Sequence, residues 1–87
     1  MVLAAKIKKG DAEAAAELLA HSIGLGHSKL TARRYFLAQS MEAVIPQEYA
    51  RYCANILEQL PQETINKMMK EEQHRAELYM KRRSKDV

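Results

Sequence analysis

The chain has 87 residues with 47% hydrophobic content, three Gly, two Pro and no Trp, so there is room for one small core and none for a second domain. Its apolar residues are mostly Ala, Leu and Met, good helix formers, which points to an all-α protein. The net charge of +3 is unevenly spread, with +2 over residues 1–45, −2 over 46–80 and +3 over 81–87; a neutral body argues against a fold that tracks phosphate over its whole surface.

The single cysteine, Cys53, excludes an internal disulfide, and the chain does not open with a charged segment, an apolar run and a small-residue cleavage site in that order. Both features lead us to expect a reducing, cytoplasmic setting. No apolar run approaches the roughly 20 residues that a membrane span requires, and no membrane association is expected.

A first short helix is expected from Val2 to Lys9, closed by Gly10 in a left-handed cap. Asp11 then caps a second helix over 12–22. Its apolar face, Ala12, Ala15, Ala16, Leu19 and Ile23, is small at one end, so another helix can approach closely; Gly24 and Gly26 are expected to stop it. Ser28 is the expected N-cap of a third helix over 29–44. Leu30, Leu37, Ala38, Met41, Val44 and Ile45 share one face of that helix, while Tyr35 and Phe36 point well away from it. A helix apolar on most sides is either central in its bundle or shared with a partner.

Ile45-Pro46 ends the third helix and opens a fourth. There Tyr49, Tyr52, Cys53, Ile56, Leu57 and Leu60 follow the helical period without a miss, making it the expected spine, with gross burial on the order of 10 kcal/mol before entropy. Leu60-Pro61 repeats the device and opens a long fifth helix from Gln62 to Arg82 or Arg83. Glu63 with Lys67, Glu71 with Arg75 and Glu77 with Lys81 are acidic-before-basic pairs one turn apart. Its stripe is Ile65, Met68, Met69, Ala76, Tyr79 and Met80, interrupted by Glu72. The expected architecture is a compact bundle of four to five helices with short Gly- and Pro-marked turns and a long C-terminal helix. It forms one domain over 1–83 followed by a basic disordered tail at 84–87.

Motifs for catalysis are absent: there is no Gly-rich phosphate loop, nucleophile elbow or convergent acid/base pair, and Cys53 falls on an apolar face where a thiol is inert. No enzymatic activity, cofactor or small-molecule substrate is expected. Glu71-x-x-His74 has the spacing of di-iron carboxylate bundles, but it occurs once and on the solvated side of its helix, and His21, His27 and Cys53 form no zinc spacing, so no metal is expected.

Two surfaces remain. Tyr35, Phe36, Met68, Met69, Tyr79 and Met80 are more apolar surface than so short a chain can cover, and uncovered apolar patches mark interfaces. The leading expectation is therefore a non-enzymatic regulatory or adaptor protein that binds another protein, or itself as a homodimer, through helix faces. The alternative is a helix-turn-helix-like DNA-binding regulator using residues 19–37, in which Ala20, Ile23, Gly24, Leu25 and Leu30 build the corner. Ser28, Lys29, Thr31, Arg33 and Arg34 would then meet the groove, with Arg82 and Arg83 of the basic end on phosphate. Arg33 falls where that motif places an apolar anchor, so its guanidinium must reach solvent or find an acid.

Overall fold

The computed structural model describes residues 2–85, with side chains described from 5 to 82. It contains five α-helices: α1 Val2–Lys8, α2 Ala12–Leu25, α3 Ser28–Ser40, α4 Gln47–Glu58 and α5 Gln62–Lys85. At about 1.5 Å per residue α5 is roughly 36 Å long, and it accounts for most of the 40 Å long axis of a 40 × 25 × 22 Å molecule. It includes Ser84 and Lys85, which the sequence assigns to the tail; residues 86–87 of that tail lie outside the described residues.

The chain reverses through two related helix ends. After α1 the Gly10 N–H donates to the Ile7 carbonyl at 2.8 Å and the Asp11 N–H to the Lys6 carbonyl at 3.1 Å, a Schellman closure with Gly10 at φ 89°, as its composition leads one to expect. After α3 the same pair of bonds recurs, Glu42 to Gln39 at 3.0 Å and Ala43 to Ala38 at 2.9 Å. Here the left-handed position is held by Glu42 at φ 62°, the one positive-φ residue other than glycine among the described residues. This closure ends α3 at Ser40, and because no glycine announces the turn the sequence reading carries the helix on to Val44.

The expected caps around α2 and α3 are partly corrected. Asp11 caps α2 by accepting from the Ala14 N–H at 3.2 Å. Gly24 stays within α2, and the left-handed C-cap is Gly26 at φ 72°. With only His27 left as a link, Ser28 becomes the first residue of α3; His27 holds the N-cap position and its side chain makes no capping bond.

The spine of the bundle is α3, not α4. It packs against α2, α4 and α5 and contributes to two clusters. One joins Leu37, Ala38 and Met41 to Ile7, Ala14, Ala15 and Ala76, and the other joins Ala32 and Phe36 to Ile56 and Met68. A helix enclosed on several sides shows weak amphipathicity, and one that lies on the periphery shows strong amphipathicity because it has a single face to hide. That is the situation of α4. Only Cys53 and Ile56 of its stripe are buried, Leu57 and Leu60 are half-buried, and Tyr52 is exposed, so it buries less than its period suggests.

Polar groups taken into the interior are unequally satisfied. The fully buried Ser22 hydroxyl donates to the Leu19 carbonyl at 2.7 Å, whereas Thr31 Oγ1 and Glu72 Oε2 are buried with no partner among the described residues. Glu72, the interruption in the α5 stripe, is 2% exposed, with Oε1 3.4 Å from Arg75 Nη1. Burial pushes its carboxyl above the ordinary value, against the pull of Arg75 and Arg33.

Candidate functional site

The six residues expected to form an apolar contact surface do not come together as one. Phe36 and Met68 are 5% and 3% exposed and belong to the second core cluster. Tyr35 is half-buried against it, its ring 5.9 Å from that of Phe36, and its hydroxyl accepts from Gln39 Nε2 at 3.3 Å. Tyr79 and Met80 are half-buried against the first cluster, on another side of the bundle. Met69 alone of the six is exposed.

The corner between α2 and α3 also differs from expectation. Leu25 and Leu30, which a helix-turn-helix would pack inside the corner, are 54% and 37% exposed. Ser28 and Lys29 are exposed, but Thr31 is buried. The Arg33 guanidinium finds the acid it needs on α5, donating to Glu71 Oε2 at 2.9 Å. Arg34 donates to the Leu18 carbonyl at 3.1 Å. Both guanidiniums thus make bonds that tie helices together. Arg82 is exposed, and the Arg83 side chain lies outside the described residues.

The other candidates are quickly placed. Cys53 is fully buried, and burial raises its thiol to about 11, leaving little thiolate at neutral pH. Glu71 is held by Arg33 and His74 is exposed. Among the described residues no group of three or more His, Cys, Asp or Glu side chains gathers, and no helix is long and apolar enough to cross a membrane.

An open groove of about 450 Å³ lies between α2, the connection over 41–46 and the start of α4. Its floor is Ala12, Ala16 and Ala20, one residue per turn of α2. Its far wall is Ala43, Val44, Pro46 and Tyr49, and its rim carries Glu13, Glu17 and Glu42. Val44 stands 90% exposed, because the early end of α3 releases it from the helix face where the sequence places it. The three carboxylates are exposed, and among the described residues no Lys or Arg lines the groove and none of the three is ion-paired.

Part of this groove is legible in the sequence. The small end of the α2 face is visible as alanines one turn apart, and Glu13 and Glu17 repeat at the same interval. The wall is not, because it depends on the unmarked turn at Glu42. No family model, curated protein or solved structure matches this chain.

Proposed function

We propose that the protein is a small non-enzymatic interaction module that binds a basic amphipathic helix, of another protein or of a second copy, in the groove between α2 and the 41–46 connection. The observation that carries this reading is the conjunction of an alanine floor with three unpaired carboxylates and an exposed Val44 on the opposite wall. Alanines let a second helix backbone come close, Val44 and Tyr49 supply apolar contact, and the glutamates select cationic side chains and speed encounter with them.

Glu42 adds a second support. A left-handed residue with a β-carbon costs about 1 kcal/mol relative to glycine, and at φ 62° it places a carboxylate on the rim of this groove. Strained positions of this kind recur where a side chain serves binding.

The test is calorimetric titration with a synthetic helical peptide carrying a leucine stripe flanked by lysines, using wild type and Glu42→Gly. The variant is expected to be more stable to urea by about 1 kcal/mol and to bind the peptide several-fold more weakly. Absence of binding by the wild type at low ionic strength overturns the proposal. Retardation of duplex DNA that is lost on replacing Ser28, Lys29 and Arg82 favours the nucleic-acid alternative instead.

A further inference from the structure

We infer that the helix seated in this groove is the C-terminal end of α5 from a second copy of the chain, in a reciprocal homodimer; this rests on the groove's role as a helix-binding site. Three observations converge. The first is chemical: the segment 81–87 carries Lys81, Arg82, Arg83 and Lys85 against Asp86 alone, the charge that Glu13, Glu17 and Glu42 lack among the described residues of their own protomer.

The second is the shape of the α5 end. Leu78, Lys81 and Arg82 lie at helical spacing on one side, within an arc of about 100°, and all three are exposed. Ala76, Tyr79 and Met80 face the protomer's own first cluster. The outward side therefore presents one apolar residue, 44% exposed at Leu78, beside two cations. That is the pattern an alanine floor with an acidic rim accepts, and it is turned away from the chain's own core.

The third is placement. Glu42 lines the groove and also a shallow depression formed with Gln73, Ala76, Glu77 and Met80 at the base of the α5 end. The α5 end and the groove thus meet at Glu42, while Leu78, Lys81 and Arg82 project from another side of the helix. In the reciprocal arrangement each α5 end lies over the other protomer's groove, so both contacts are satisfied at two copies and the assembly closes.

Charge reversal on each side tests the assignment. Glu13→Lys with Glu17→Lys makes one variant, and Lys81→Glu with Arg82→Glu makes another. All four positions are exposed, and circular dichroism checks that both variants fold. By sedimentation equilibrium at low ionic strength the wild type is expected to be a dimer that weakens with salt. Each variant alone is expected to dimerise at least about tenfold more weakly. An equimolar mixture is expected to regain the wild-type dimer, because both of its contacts again join opposite charges.

A mixture that stays monomeric, or a wild type that is monomeric at high micromolar concentration, overturns the inference. In either case titration with the leucine-lysine peptide separates the two claims. Binding by the wild type that is lost in the Glu13→Lys, Glu17→Lys variant leaves the groove as a helix site for a different protein, and no binding removes both.

Discussion

A carboxylate taken out of water without a full set of donors lowers stability, and Glu72, with Oε2 buried and unpartnered, is in that position. Its folded value is raised from 4.5, so the folded state holds this proton to higher pH than the unfolded chain does. The stability associated with this proton is fully present below the ordinary carboxylate value and is lost as pH rises through the raised one. Glu71, one residue away, has the opposite sign. The hydrogen bond from Arg33 lowers its value first of all, so its contribution is present above the ordinary value and fades as pH falls through the lowered one. Replacing Glu72→Leu is expected to stabilise the protein at neutral pH by about 1 to 3 kcal/mol. The gain should shrink as pH falls through the raised value of Glu72 toward the ordinary carboxylate range, because wild-type Glu72 takes up its proton over that interval. Urea denaturation of both proteins across this range measures it, and a gain that does not vary with pH contradicts the assignment.

At the scale of elements, the two glycines of the α2 end separate helix interior from cap. Gly24 lies inside α2 and an added β-carbon meets nothing within 4 Å, while Gly26 holds φ 72°. Gly24→Ala is therefore expected to stabilise by about 0.5 to 1 kcal/mol, and Gly26→Ala to destabilise by about 1 kcal/mol. Thermal unfolding of the two variants compares them, and equal effects contradict the placement of the cap. The same contrast explains what could be read in advance. The helix boundaries set by Gly10, Asp11, Pro46 and Pro61 stand within one or two residues of where composition puts them. The end of α3 does not, since its closure uses a glutamate and nothing local distinguishes Glu42 from a helical residue. The rank of the helices was equally hidden. A perfect period marks α4 as having one buried face, but centrality belongs to α3, whose rings at Tyr35 and Phe36 break its period because a second cluster waits on that side. Sequence spacing reports how many faces a helix buries; which neighbour covers each face is a tertiary fact.

At the scale of the molecule, the charge that the sequence divides among its segments becomes spatial. The basic segment extends α5 at one end of the long axis, and the acidic rim lies beside the turn that α5 passes at Glu42. The arginines of α3 bridge to α5 and α2, whereas the glutamates of the groove carry no ion pair among the described residues and stand next to the exposed Val44. An exposed Leu25 and Leu30 at the opposite end of α2 make a second apolar area, and Leu30 borders a smaller pocket of about 220 Å³ whose charged lining is mostly Lys and Arg, with Glu72. The two areas compete as docking sites, and methyl resonances distinguish them. Titration of methyl-labelled protein with the leucine-lysine helical peptide, followed by chemical-shift mapping, is the most direct test that the groove is where a helix binds. The account predicts the largest shifts at Ala16, Ala20 and Val44, with little change at Leu25, Leu30 and Met69. Shifts concentrated at the latter three, or no shifts at a peptide excess, would contradict it.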